Sequence, residues 1–284
     1  MANTINWGQA AVENTIDYGQ GATDNTISWG KSQTLSPSGE TNITGAGGTP
    51  AFTNTLSTTF DGTDDFVDCG NDSSLNFSAD DAFSFSVWFK KGSDSGSNTV
   101  FSKGLGAINY DGYYMFALAD YVYFRIRNNS SNFHQIKDND THPLNTWVHY
   151  LVTYDGSRSA SGGGLKLYKN GTLLTNVSKS GNFSSGSGQT IANFGIGARI
   201  IDSAAHFNGN IDEVSAFNSE LSASNVTTIY NSGTPNDISA ISGLVSWWRM
   251  GDGSTYPQIN DAVGSNNGTM TNMSSANFVT DVPT

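Results

Sequence analysis

Long stretches of this chain alternate apolar and polar residues with the period of two that extended β-strands require. Residues 83–89 show the pattern best, because Phe83, Phe85, Val87 and Phe89 fall on one face of an extended segment. Similar patterns predict further strands at 121–127, 147–154, 165–169, 194–198 and 211–217. Glycine, serine and asparagine separate these strands, so we predict an all-β fold in which two antiparallel sheets form a jelly-roll sandwich.

Two local signals refine this prediction. Asn170 and Gly171 are the residue pair that best tolerates the positive φ angles of a two-residue hairpin turn, and they lie between two apolar segments. One short helix is also expected, with Ser222 as its N-cap, Tyr230 at its end and Gly233 beyond it. The chain is therefore expected to combine many strands with one helix.

The N-terminus carries a threefold repeat. Residues 3–9, 14–20 and 25–31 each place an isoleucine and an aromatic residue two positions apart, at a spacing of 11. Both side chains of a pair point the same way in an extended chain, and three such units are too small to bury a core of their own. The pairs that we expect another chain to cover are Ile5 and Trp7, Ile16 and Tyr18, and Ile27 and Trp29.

These features divide the chain into three parts. Residues 1–31 are predicted to be an arm for anchoring or oligomerisation. Residues 32–50, which are rich in small and polar residues, are predicted to be a linker. Residues 51–284 are predicted to form the sandwich.

Charge and hydropathy exclude several classes of function. The chain has 13 Lys and Arg against 25 Asp and Glu, a net charge of −12, and this disfavours nucleic acid as a partner because phosphate contacts need clustered basic residues. No segment approaches the ~18 apolar residues of a membrane span. The N-terminus lacks the basic start and apolar run of a signal peptide. We therefore expect synthesis in a cytoplasm without a secretion signal.

Several short motifs occur along the chain in a recognisable order. The motifs occupy residues 60–67, 85–89, 145–149 with 154–156, 167–171, 207–214 and 221–233. Over residues 51–234 this series resembles the laminin-G-like, concanavalin A-like jelly-roll domain. The resemblance implies one convex and one concave antiparallel sheet, with frequent binding of calcium and of carbohydrate or protein.

The C-terminal segment departs from the order of that family. Residues 244–253, followed by Asp261 and residues 264–269, resemble the segment that usually opens such a domain, yet here they follow its last helix. The segment could complete a permuted domain or begin a truncated second copy. Only 15 residues follow Thr269, too few for a second sandwich, so we predict that residues 244–270 complete the sheet as a permuted strand.

Two acidic residues could form a catalytic pair. Glycoside hydrolases of the same superfamily carry a Glu-x-Asp-x-x-Glu strand, since two carboxylates must face one sugar ring, and this string is absent from the chain. Asp212 and Glu213 are adjacent, so a regular strand would send them to opposite faces. We predict that the protein is not an enzyme.

Carboxylates could also hold a metal ion. The resemblance places a cation near the turn at Asp61 and the strand at Asp212, and calcium prefers such hard oxygen ligands. The candidate calcium ligands are Asp61, Asp64, Asp65 and Asp212. The alternative is that these aspartates cap turns and bind local amides.

Aromatic and polar residues suggest a glycan surface, because aromatic faces can pack on the C–H patches of sugar rings. The candidates are Tyr121, Tyr123, Arg125, His134 and Trp147. The alternative is that Trp147 belongs to the core, the tyrosines cover a sheet and His134 sits in a polar loop.

The repeat, joined to such a domain without a signal peptide, is similar to the architecture of virion structural proteins of tailed bacteriophages. That resemblance implies a non-enzymatic head or tail decoration or fibre protein at the virion surface, displaying a jelly roll that could bind host or environmental glycans. Its predicted partners are other virion proteins, held through residues 1–31, and further copies of the chain, with a trimer favoured. The alternative is a bacterial carbohydrate- or protein-binding module of a cell-surface system, which a secretion signal or surface anchor would favour.

Overall fold

The computed structural model of the protein describes residues 52–96, 98–104, 112–128, 132–158, 163–182, 192–200 and 204–284. The threefold repeat, with the six side chains predicted to mediate assembly, and the linker at 32–50 lie outside the described residues. The strands, numbered in chain order, are β1 Ser57–Asp61, β2 Phe66–Asp68, β3 Ala82–Lys91, β4 Asn98–Gly104, β5 Gly112–Ala117, β6 Val122–Arg127, β7 Phe133–Asp138, β8 Val148–Asp155, β9 Leu165–Lys169, β10 Thr172–Leu173, β11 Val177–Ser180, β12 Phe194–Ile196, β13 Asn208–Phe217, β14 Leu244–Trp248, β15 Gln258–Ile259, β16 Gly268–Thr271 and β17 Phe278–Val279. The α-helix α1 spans Ala223–Tyr230.

These strands form two sheets. Sheet A has the order β10-β9-β8-β3-β13-β1-β17, with β14 also paired to β13, and sheet B has the order β11-β7-β6-β5-β4-β12-β2-β16-β15. Neighbouring strands in both sheets run antiparallel. The predicted fold, an all-β sandwich of two antiparallel sheets, is confirmed.

The core lies between the sheets and follows from the alternation in the sequence. The inward residues of β3, which include Phe83 and Phe85, meet the inward residues of β6, Val122, Phe124 and Ile126. The ring centroids of Phe83 and Phe124 are 5.9 Å apart, and those of Phe85 and Phe124 are 6.2 Å apart. Burying side chains of this size stabilises the fold by about 1.5–3 kcal/mol each.

The hairpin and the helix form where the sequence predicts them. Asn170 and Gly171 have φ angles of 49° and 73°, the left-handed values that a tight turn between β9 and β10 requires. The Ser222 hydroxyl accepts a hydrogen bond from the Asn225 amide at 3.2 Å, which caps α1. Val226 and its neighbours on α1 pack against the outer face of sheet A. Within the described part of the chain, no helix has the length and hydropathy to cross a membrane.

The C-terminal segment contributes to both sheets. In sheet A, β14 pairs with β13, with Trp248 opposite Val214. In sheet B, β16 pairs with β2, with Met270 opposite Val67. The Trp248 ring is fully buried and stacks on Phe194 with 5.0 Å between ring centroids. Residues 244–271 are therefore built into the same core as the rest of the sandwich.

Candidate functional site

The outer face of sheet B gathers aromatic and cationic side chains. Along β6, inward core residues alternate with Tyr123, Arg125 and Arg127, which lie on the outer face. Residues directly opposite each other in an antiparallel pair share a face, and Tyr123 lies opposite Phe116 and Lys137. We call this surface the aromatic-cationic face and define it by Tyr114, Phe116, Tyr121, Tyr123, Arg125, Arg127, Phe133, Gln135 and Lys137.

Arg125 lies at the centre of this face. Its guanidinium carbon lies 4.6 Å from the ring centroid of Phe133, 5.6 Å from that of Tyr123 and 5.9 Å from that of Tyr114. Its Nε donates to Gln135 Oε1 at 2.9 Å, and a terminal nitrogen donates to the same oxygen. Cation–π contacts and a neutral acceptor thus orient the guanidinium without neutralising its charge.

Lys137 adds a further cation. Its Nζ lies 4.6 Å from the ring centroid of Tyr121, whose ring is in turn 5.9 Å from that of Tyr123. Along the described strands β5, β6 and β7, the outward side chains include no carboxylate, so the local charge is positive on a chain of net charge −12. Burial raises the pKa of Tyr123, which keeps its hydroxyl protonated as a hydrogen-bond donor.

The structure does not bring His134 to this face. His134 is fully buried, and it lies on the inward side of β7 because it precedes the outward Gln135 by one residue. Its ring centroid is 5.9 Å from that of Tyr154 in sheet A, and burial lowers the pKa of its imidazole. The prediction that His134 joins a glycan surface with Tyr123 is therefore wrong.

Trp147 is also elsewhere. It precedes β8 in sheet A, its Nε1 donates to Asp281 Oδ1 at 3.0 Å, and Lys90 Nζ lies 5.8 Å from its ring centroid. Trp147 thus contacts the C-terminal segment and is separated from the aromatic-cationic face. Of the five candidate glycan residues, the structure unites three: Tyr121, Tyr123 and Arg125.

Three of the four candidate calcium ligands come together. Carboxylate oxygens of Asp61, Asp64 and Asp65 lie within 4.8 Å of one another. Asp61 Oδ1 accepts the Thr63 amide at 2.7 Å, and this bond lowers the pKa of Asp61, whereas burial and the Asp61 charge raise the pKa of Asp65. The cluster offers the hard oxygens that calcium prefers, and the same oxygens cap the turn.

Asp212 does not belong to this cluster. Asp61 lies opposite Asn208 at one end of the β1–β13 ladder, and Thr58 lies opposite Ile211. Asp212 is therefore four residues beyond Asn208, about 13 Å along the strand. Asp212 instead accepts hydrogen bonds from Asn54 Nδ2 at 2.8 Å and from the Glu213 amide at 2.9 Å. The prediction that it shares a cation with Asp61 is wrong.

Asp212 and Glu213 also contradict the expected alternation. The residues on either side, Ile211 and Val214, both point into the core, so the two acidic residues both turn away from it. Glu213 has a φ of 49°, and the register between β13 and β3 shifts here, which marks a β-bulge. Asp212 is 0% and Glu213 6% exposed, so a sugar ring has no access to this carboxyl pair.

Burial sets the protonation of the pair. Loss of solvent raises the pKa of Asp212 well above its usual range and the pKa of Glu213 to about 7. Glu213 accepts hydrogen bonds from Trp247 Nε1 and, at 3.2 Å, from Arg249 Nε. The pair therefore connects β13 to the C-terminal segment.

The fold has known relatives. A family model described as the concanavalin A-like lectin/glucanases superfamily matches residues 61–227. A candidate carbohydrate-binding protein from Bacteroides ovatus has a similar structure, with a TM-score of 0.58 and 17% sequence identity over 82% of this chain. The chain spans 62% of that protein. No curated protein sequence matched the chain.

Two other solved structures resemble it at lower TM-scores. A heptameric SAP-like pentraxin from Limulus polyphemus is 15% identical, with a TM-score of 0.44 over 62% of this chain and 82% of the pentraxin. The CBM40 of the Ruminococcus gnavus IT-sialidase, solved with α2,3-sialyllactose, is 16% identical, with a TM-score of 0.46 over 61% of this chain and 95% of that module. Because the family model covers more than half of the chain, the protein belongs to the concanavalin A-like lectin/glucanases superfamily.

Proposed function

We propose that the protein is a carbohydrate-binding module that holds saccharides on the aromatic-cationic face. The observation that carries this proposal is the cluster of half-buried Tyr121 and Tyr123 beside two cations, Arg125 and Lys137. Tyrosine rings can cover the C–H face of a sugar while their hydroxyls bind its polar groups. Membership of a lectin and glucanase superfamily favours the same function by analogy of fold.

The module is proposed to bind without hydrolysing. The sequence has no Glu-x-Asp-x-x-Glu strand, and the Asp212–Glu213 pair is buried beneath other side chains. Glycoside hydrolysis needs two carboxyl groups on either side of the scissile bond. Incubation of bound oligosaccharides with the protein should therefore release no shorter products, and release of such products would refute this part of the proposal.

Calcium is proposed to support the module away from the sugar. Asp61, Asp64 and Asp65 would hold the ion through their carboxylates, which lie close enough to share one cation. Bound calcium would offset the repulsion that raises the pKa of Asp65.

The module is further proposed to be displayed on a tailed-phage particle. The support is the threefold repeat in residues 1–31, whose apolar pairs are suited to burial against other virion proteins or other copies of the chain, with three copies favoured. A mass-spectrometric inventory of purified particles should contain the protein. Recovery from bacterial cell surfaces instead would support the alternative, a bacterial carbohydrate- or protein-binding module.

Oligomerisation has its own test. Sedimentation of the full chain should report a trimer. The protein shortened to begin at Ala51 lacks the arm and should sediment as a monomer. Monomers of both forms would contradict the assembly role of residues 1–31.

A glycan array tests the central proposal. The full chain should bind at least one saccharide class, and binding should persist in a calcium chelator because the acidic cluster and the aromatic-cationic face lie on different parts of the fold. An array on which no saccharide is bound would contradict carbohydrate binding and leave only a structural role.

A further inference from the structure

We propose that the aromatic-cationic face selects saccharides that carry a carboxylate, with Arg125 and Lys137 binding the carboxylate and Tyr121 and Tyr123 packing on the sugar. This inference rests on the proposed function and narrows its ligand class to sugar acids.

Arg125 is oriented but not neutralised. Two of its N–H groups are used by Gln135 Oε1, which is uncharged, and its remaining N–H groups have no hydrogen-bond partner among the residues that the structure describes. Contacts with Phe133 and Tyr123 hold the guanidinium in place, so little side-chain entropy remains to be lost on binding. The planar fork of an arginine matches the two oxygens of a carboxylate.

Lys137 lacks a carboxylate as well. In the described part of the chain its Nζ has neither a hydrogen bond nor an ion pair, and it lies over the Tyr121 ring. Other lysines of the protein differ in this respect, because each of the following pairs with an acidic side chain: Lys90 with Asp281, Lys91 with Asp94, Lys166 with Glu220 and Lys169 with Asp138. In a protein of net charge −12, Arg125 and Lys137 thus lack an acidic partner among the residues that the structure describes.

The two cations are close enough to serve one ligand. Arg125 lies opposite Gln135, and Lys137 is two residues further along β7, so the pair is diagonal across the two strands. Diagonal neighbours of this kind are about 7–8 Å apart at the backbone, within reach of long side chains. The Tyr123 ring lies beside both positions, directly opposite Lys137. A sugar ring on Tyr123 could therefore present its carboxylate to either cation.

The exposed acidic group that precedes Tyr121 does not cancel this arrangement. Asp120 is exposed in the turn before Tyr121, and it forms no ion pair with Lys137 or Arg125. Its charge lies at the end of the face, whereas the cations lie along β6 and β7. The face therefore favours a negative ligand over a neutral one.

The test compares sugar acids with their own neutral esters. Oligomers of galacturonate, glucuronate and sialic acid would each be titrated into the full chain by calorimetry, beside the methyl ester of the same oligomer. At least one acid should bind roughly tenfold more tightly than its ester, since a charge-assisted bidentate bond is lost on esterification. If every acid and its ester bind equally, this inference is overturned while carbohydrate binding stands. If no saccharide of any kind binds, the proposed function fails as well.

Matched variants locate the preference. Arg125→Gln and Lys137→Met should each weaken binding of the acid more than binding of its ester, so that the difference between acid and ester shrinks. Arg125→Lys, which keeps the charge but not the fork, should lose an intermediate share. Lys179→Met is the control, because it removes the same charge from β11 at a position opposite the inward Ile136. Equal preference in Arg125→Gln and the unmodified protein, with unchanged thermal unfolding, would contradict the assignment.

Discussion

Asp212 and Glu213 lie on the same face of β13, although they are adjacent in a strand. The bulge that turns Glu213 to a φ of 49° brings its carboxyl group to Trp247 and Arg249 of the C-terminal segment. This contact joins β14 and the residue that follows it to β13 in sheet A, and it buries an ionisable pair whose protonation depends on pH.

Glu213 should make the fold less stable as the pH rises. Burial raises its folded-state pKa to about 7 from the usual 4.5, so the stabilisation from its bound proton is complete below 4.5 and is lost as the pH rises through about 7. Glu213→Gln should reduce this loss, which is about 2 kcal/mol between about pH 5.5 and about pH 8. Urea unfolding at the two pH values measures it, and equal pH dependence in the variant and the unmodified protein would contradict the assigned proton.

The buried histidines should lower the stability of the fold as the pH falls. Burial lowers the pKa of His142 and of His149 to about 3, so the unfolded chain takes up their protons first as the pH falls below about 6.5. Each should cost about 1.4 kcal/mol of stability per pH unit below that point. His142→Phe preserves the ring stacking on Phe89, whose centroid is 4.8 Å away, and should flatten the acid limb of the urea-unfolding profile. An acid limb as steep as before would show that His142 is not the group that titrates.

The C-terminal segment should be essential to the fold. Trp248→Ala removes a fully buried ring that stacks on Phe194 and donates from Nε1 to the Asn266 carbonyl at 2.6 Å. We expect a loss of about 3–5 kcal/mol in the free energy of unfolding. Trp147→Ala, at a partly exposed position, should cost less and is the matched control. Similar losses for both variants would mean that residues 244–248 do not contribute to the core as described.

Calcium should raise the thermal midpoint of unfolding if the acidic cluster binds it. The gain should disappear in Asp61→Asn and persist in Asp120→Asn, which removes an exposed carboxylate outside the cluster. A chain of this size shifts by about 2–4 °C for each kcal/mol of stabilisation. A midpoint that calcium leaves unchanged in the unmodified protein would assign these aspartates to turn capping alone.

The sequence predicted those parts of the fold that depend on local pattern. The alternation at Phe83 and Phe85, the turn at Asn170 and the cap at Ser222 each follow from the preference of a few neighbouring residues, and the structure has them as predicted. The bulge at Glu213 could not be predicted, because it depends on contacts with residues more than thirty positions away in the chain.

The candidate site was predicted in part for a similar reason. β6 has a strongly apolar inner face, so Tyr123 and Arg125 could be placed on the outer one. β7 mixes polar and apolar residues on both faces, and only its register with β6 shows that His134 is inward. Tyr114 and Phe116 were missed because β5 is apolar on both faces and does not alternate. Their place on the face follows from pairing with Arg125 and Tyr123.

One affinity comparison tests the central claim most directly. The saccharide bound best on the array would be titrated against the unmodified protein, Tyr123→Ala and Trp147→Ala, after thermal unfolding has shown all three to be folded. Carbohydrate binding on the aromatic-cationic face predicts a loss of roughly tenfold or more for Tyr123→Ala and no change for Trp147→Ala, because Trp147 lies away from that face beside Asp281. Full affinity in Tyr123→Ala together with a loss in Trp147→Ala would contradict it.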